Sequence, residues 1–410
     1  MSLAKNIDFL RRLPKLNPAN GFGYGRSRAS GLRSPLVEIR DFGANPGDLR
    51  MFAFTPAELQ QPRALVVVLH GCGQTAADYD LGAGWSTLAK HYGFALLMPQ
   101  QQLSNNGNGC FNWFNPEDVR RDSGEAGSVR QMIAHMVRDH RIDSRRIFVT
   151  GLSAGGAMTS VMLATYPEVF AAGAVIAGLP YGVASNVREA LNGMFQSPQR
   201  PARKLGDLVR NASGHRGPWP KISVWHGSAD RTVNPSNADE IVKQWLDVHG
   251  LPGAPMSEGI VDGHPRQIWW NADGETVVES YSITDMAHGT PIGLAANEKR
   301  YGMQGAFLIE AGISSSYHIA NFFGLTEWIR QQRGAAAPAP RARGESPSAK
   351  LIPQVSPISV STPDLGKLLQ PMTKAARPSQ AVPKQKRKRR PLIDVGAVIT
   401  RALTAAGLRK

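Results

Sequence analysis

The chain is poor in cysteine: Cys72 and Cys110 are its only two. A disulfide framework is thereby excluded, and one bridge is the most that can form. Long apolar runs are missing too. The longest, Phe170 to Ala184, is interrupted by Pro180 and ends at roughly 15 residues, short of the ~18–20 a membrane-spanning helix requires. Lys5, Arg11, Arg12 and Lys15 near the amino end are not followed by the apolar stretch of roughly 7–15 residues that marks a secretory signal. These absences read as a soluble, cytoplasmic protein with a basic leader over residues 1–35. Acidic residues are also scarce, 32 against 47 Lys and Arg, for a formal charge of +15.

That imbalance is local. Residues 1–35 hold seven Lys/Arg and one acid, and residues 334–410 hold fifteen against Glu345, Asp364 and Asp394. The stretch 36–333 has 25 basic and 28 acidic residues. A strongly basic chain suggests a nucleic-acid binder, but the middle of this one does not share the property. After Gly334 come ten of the 29 prolines and no aromatic residue, a composition that predicts a disordered tail. Within it, Lys384 to Arg390 has six basic residues in seven. It reads as a solvated charge run or as a contact for the phosphates of nucleic acid or anionic lipid. Leu392, Val395, Ile399 and Leu403 fall at helical spacing, which predicts an amphipathic helix over 391–408.

The middle can bury a core, since 42% of the chain is hydrophobic. Ala64–Leu69, Phe94–Met98, Arg146–Thr150, Ala172–Ala177 and Ile222–Trp225 are short, largely apolar runs, as expected of strands covered on both faces. Helical patterns over 125–140, 154–166 and 238–249 alternate with them. The fold class expected is α/β, a mostly parallel central sheet with helices on both faces. Leu36–Ile39 and Leu49–Thr55 read as strands joined by the turn at Asn45-Pro46-Gly47, and 266–270 with 276–283 as a hairpin. Residues 184–218 read as an insertion, either a cap over a site or a long loop.

Thr150-Gly-Leu-Ser-Ala-Gly-Gly156 follows a strand and opens a helix, the setting of a G-x-S-x-G nucleophile elbow. Gly151 and Gly155 allow the sharp turn, Ser153 is the candidate nucleophile, and the Ala154 amide faces the forming oxyanion. A serine hydroxyl needs a base, and that base an orienting carboxylate. Asp230, on the loop after the Ile222 strand, is the carboxylate of choice, with Asp239, Asp247, Asp262 and Asp285 as competitors. His288 is the candidate base and His318 its competitor. The second oxyanion amide is expected in His70-Gly-Cys-Gly-Gln-Thr75, from Cys72 or Gly73, with His70 bracing the loop. Trp113 and Phe114 line a substrate subsite or belong to the core. Of Trp269 and Trp270, on opposite faces of a strand, one is expected to be exposed.

Taken together, His70–Thr75, Gly109–Phe114, Gly151–Gly156, His226–Asp230 and Met286–His288 resemble the polyhydroxybutyrate (PHB) depolymerase family, which also includes feruloyl and acetylxylan esterases. The resemblance implies an α/β-hydrolase fold, a Ser153–Asp230–His288 triad and hydrolysis of carboxylic esters through an acyl-enzyme, with no metal or organic cofactor. It departs at Ala287, where the family usually has glycine, and at Gly289-Thr290 before Pro291. It also implies a pairing of Cys72 with Cys110 and an extracellular setting, whereas a cytosolic protein would keep both thiols reduced. Lys384–Arg390 then becomes a candidate anchor to a polyester granule. In a reading from another class, the chain is a tether that holds an anionic surface through its tail.

Overall fold

Along Arg63–Leu69, Leu65, Val67 and Leu69 point to one face and Ala64, Val66 and Val68 to the other, and all six are buried. A strand apolar on both sides is stable only when both sides are covered. The computed structural model, which describes residues 33–57 and 63–326, supplies that cover with helices on each face. The basic leader up to residue 32, the Pro-rich tail with Lys384–Arg390, and the helix expected over 391–408 lie outside the described residues.

The elements begin with β1 (Val37–Ile39), β2 (Arg50–Phe54), β3 (Arg63–Leu69), α1 (Ala76–Ala83), α2 (Trp85–Tyr92) and β4 (Ala95–Gln100). Then come α3 (Gly124–Asp139), β5 (Ile142–Leu152), α4 (Ala154–Thr165), β6 (Ala172–Ile176), α5 (Val187–Gln196) and α6 (Ala202–Asn211). The chain continues through β7 (Lys221–Gly227), α7 (Ser236–His249), β8 (Ser257–Val261), β9 (His264–Trp270) and β10 (Thr276–Ile283). It closes with β11 (Thr290–Ile292), β12 (Leu308–Glu310) and α8 (Ser315–Phe322).

The main sheet has the order β1-β2-β4-β3-β5-β6-β7-β10-β9-β8. Neighbours run parallel from β4 to β10 and antiparallel at both ends. Helices α3, α4, α6 and α7 share a core with one face, while α1, α2 and α8 share a core with the other. Strand order reverses between β3 and β5, which pair with Leu69 opposite Gly151. Such a switch point leaves a crevice beyond the carboxyl ends of the strands, and the loop after β3 and the turn after β5 both open there.

The expected strands and helices are present within a few residues, and β8 extends the expected hairpin. Trp269 is buried, with its indole N–H donating to Ala254 O at 2.8 Å, and Trp270 is 36% exposed on the other face. Residues 76–92, which the sequence pattern leaves unassigned, form α1 and α2. Gly84, at φ +79°, ends the first, its amide donating to Asp80 O. Charged Asp80 and side-chain-free Gly82 are both buried in α1, so the helix lacks the clean apolar stripe that would reveal it.

Candidate active site

Ser153 sits between β5 and α4 at φ 56° and ψ −116°, a conformation costing a serine ~1–3 kcal/mol. The surroundings hold it there. Its amide donates to Ile176 O at 2.9 Å, and the flanking backbone is too close for side chains. A Cβ on Gly155 would lie 2.3 Å from Leu69 O, and one on Gly151 2.4 Å from Gly155 O. Among the described residues the Ser153 hydroxyl has no hydrogen-bond partner. It lines the same cavity as His288.

Asp230 follows β7 and His288 follows β10, its parallel neighbour. The two loops are laced together: Ser228 N donates to Ile283 O, Ala229 N to Met286 O and Asp285 N to Ser228 Oγ, all within 3.0 Å. His288 Nδ1 donates to Asp230 Oδ2 at 2.7 Å, which leaves Nε2 with its lone pair as the free edge of the ring. The same Oδ2 accepts His226 Nε2 at 3.1 Å, and Oδ1 accepts the amides of Thr232 and Val233 at 2.8 and 2.9 Å. Burial would raise the Asp230 carboxyl, but the hydrogen bonds from the His226 and His288 rings outweigh it and hold the carboxyl well below the usual carboxylate range. The competing acids lie elsewhere: Asp247 pairs with Arg210, Asp262 with His318, and Asp239 and Asp285 are exposed. His318 is thereby engaged on α8.

His226 is a site residue not evident from the sequence, although it lies only four residues before Asp230. Its Nε2 also donates to Val233 O at 3.0 Å. A carbonyl can only accept, so the proton is on Nε2. The buried Nδ1 has no partner among the described residues.

On the loop after β3 the two candidate oxyanion amides differ in what they already bind. Gly73 N donates to Asn108 O at 2.9 Å, so Gly73 is spent on structure, whereas the amides of Cys72 and Ala154 are unengaged and border the cavity. The sulfurs of Cys72 and Cys110 are bonded at 2.11 Å, beside the Gly73–Asn108 link. His70 is fully buried, donates from Nδ1 to Gly71 O and accepts Gln101 N on Nε2. Burial lowers its pKa to about 4, so it braces the loop as a neutral ring. Glu125 ties down the segment that follows Cys110: its carboxyl group accepts Asn112 N, Asn112 Nδ2 and Gln101 Nε2. Burial pushes its pKa up to about 8.

Replacing both cysteines by serine is expected to lower Tm by ~10 °C. Closing a loop 38 residues long removes about 4 kcal/mol of unfolded-state entropy, and each kcal/mol shifts a domain of this size by ~2–4 °C. Thermal unfolding, with intact-mass alkylation lacking reductant as the control, checks this. An unchanged Tm, or alkylation of both cysteines in the native protein, would count against a stabilising bridge.

Ser153 and His288 open onto a cavity of about 360 Å³. Trp113 and Phe114, packed edge to face, are buried and also line it, so they serve as core and wall at once. The insertion at 184–218 divides in two. α6 packs on α7, while α5 turns Val187, Ala190, Leu191, Met194 and Phe195 to the cavity. Those residues recur at helical spacing, the signal that could have found this wall in the sequence. Leu103, 72% exposed, and Phe195, 43% exposed, also border the cavity. Among the described residues no cluster of three or more His, Cys, Asp or Glu is arranged to hold a metal, and no helix is long and apolar enough to cross a membrane.

Residues 51–259 match the model of the family described as esterase PHB depolymerase. The chain is 45% identical over 291 residues to poly(3-hydroxyalkanoate) depolymerase C of Paucimonas lemoignei, covering 71% of this chain and 70% of that one. It is 32% identical over 295 residues to feruloyl esterase B of Neurospora crassa, covering 70% and 99%. The solved acetyl xylan esterase from Aspergillus awamori shares the fold with a TM-score of 0.60, at 24% identity over 71% of this chain and 99% of that one.

Proposed function

Since the chain belongs to the PHB depolymerase family of esterases, and is therefore a carboxylic ester hydrolase, we propose that it cleaves hydroxyalkanoate esters, polyhydroxybutyrate or its oligomers, through a Ser153 acyl-enzyme. One observation carries the reading. Ser153, His288 and two unengaged amides converge on a cavity whose other walls are mostly aliphatic and aromatic, which suits a short aliphatic polyester better than a hydroxyl-rich polysaccharide.

Ser153 Oγ attacks the ester carbonyl as His288 Nε2 takes its proton. The amides of Cys72 and Ala154 stabilise the oxyanion. On collapse the acyl C–O bond breaks, and the leaving oxygen takes the proton back from His288. Water, deprotonated by the same ring, then attacks the acyl-serine and releases the acid. Asp230 holds His288 in the required tautomer and balances the imidazolium charge, while His226 and the Thr232 and Val233 amides keep the carboxylate ionised and fixed.

A panel of polyester film, hydroxybutyrate oligomers, acetylated xylan and feruloyl esters tests the substrate class. The expected result is kcat/KM on the oligomers at least about ten-fold above that on xylan acetate or feruloyl esters, the scale of discrimination an apolar pocket achieves. The reverse order would favour the feruloyl or acetylxylan alternative.

The tail has a separate role in this proposal: Lys384–Arg390 holds the enzyme by charge on a polyester granule or another anionic surface. Ending the chain at residue 333 is expected to abolish the salt-sensitive part of its retention on granules, measured by co-sedimentation across ionic strength. Identical, salt-insensitive retention of both forms would remove the tail from that role. Retention on DNA rather than granules would identify the surface as nucleic acid.

A further inference from the structure

Among the residues lining the catalytic cavity, Arg231 alone carries a formal charge. It is exposed, and no carboxylate among the described residues pairs with it. Elsewhere in the domain, Arg121, Arg210 and Arg266 are matched to Glu168, Asp247 and Glu279 at 2.6 to 2.8 Å. A cation on the wall of a mostly apolar cavity disfavours ligands that offer only carbon there, and favours one that brings an anion.

Its place in the chain says where that anion would lie. Arg231 follows Asp230, so their Cα atoms are about 3.8 Å apart, and the Asp230 carboxylate holds His288 at 2.7 Å. His288 is the ring that hands the proton to the departing oxygen, and it lines the same cavity as Arg231, which is the ground for assigning Arg231 to the leaving group. In an acid-terminated β-hydroxyalkanoate oligomer, the alcohol expelled from the last ester is itself a 3-hydroxy acid. A single methylene separates its carbinol carbon from its carboxylate.

We infer that Arg231 is the carboxylate anchor for this leaving unit, and that the enzyme cleaves the last ester of acid-terminated oligomers in preference to internal or capped esters. The inference rests on the ester-hydrolase reading of the Ser153 cavity. The bond that breaks is the acyl C–O bond of the last ester. Its oxygen receives the His288 proton, and the 3-hydroxy acid anion departs from the guanidinium.

The test compares kcat/KM for the hydroxybutyrate dimer as free acid and as its N-methylamide, each with one ester bond. Wild type, Arg231→Gln and Arg231→Glu are measured at low and high salt. Wild type is expected to favour the acid about five-fold, the scale of one solvent-accessible ion pair. Arg231→Gln should bring the ratio close to one, Arg231→Glu should invert it, and salt should shrink it only in the charged forms. An acid-to-amide ratio equal in wild type and Arg231→Gln overturns the anchor, and so does a glutamine variant that loses activity on both dimers alike. Wild type inactive on both dimers, and on a soluble butyrate ester, would instead overturn the underlying ester-hydrolase reading.

Discussion

Ser153→Ala is expected to lower kcat on a soluble butyrate ester about 10⁶-fold, with little change in folding. Removing the nucleophile of such a triad costs about as much as removing all three members, because the three act as one unit. What remains is what the two amides and the cavity contribute without covalent chemistry. The alanine methyl keeps the elbow intact, since Gly151 and Gly155 accept the close backbone contacts and the Ser153 amide bond to Ile176 O is retained. Initial rates and circular dichroism on the same preparations check this. A variant as active as wild type would sink the assignment of Ser153.

Asp230→Asn is expected to lower kcat about 10⁴-fold, the scale for a wrong histidine tautomer, and the hydrogen-bond inventory says why. Asp230 receives four donors, two backbone amides on Oδ1 and two imidazole N–H groups on Oδ2. Asparagine can accept on only one of those sides. The amides of Thr232 and Val233 cannot change protonation, so they claim its oxygen, and its NH₂ turns toward the rings. His288 must then accept on Nδ1 and carry its proton on Nε2, where it cannot take the Ser153 proton. His226 is pinned as the Nε2–H tautomer by Val233 O and faces that NH₂ with a second donor. The loss should therefore appear in kcat, with KM nearly unchanged, in steady-state assays. A loss confined to KM would contradict an orienting role.

The elbow, the Val-rich strand and the alternation of strands with helices were legible because each is local. Backbone crowding at Gly151 and Gly155 and double-sided burial of β3 follow from a few adjacent residues. α1 and the wall formed by α5 were less legible for opposite reasons. α1 has no clean stripe, with Asp80 and Gly82 buried, whereas α5 has a stripe that serves the core and a cavity wall at once.

The sequence by itself supplied the order of the proposed chemistry: a candidate nucleophile on a strand-to-helix turn, then a candidate carboxylate and a candidate base after later strands. It also determined that the excess charge belongs to the ends of the chain, not to the catalytic part. Tertiary structure set which of the chemically equal candidates meet. Asp230 meets His288 across 58 residues, while Asp247 and Asp262 are drawn to Arg210 and His318. Asn108 takes the amide of Gly73, while that of Cys72 has no partner among the described residues, and His226 and Arg231 acquire their settings from the β7 loop. These outcomes depend on which loops a sheet brings together at its carboxyl edge, and that is a matter of strand order, which no local window of sequence contains.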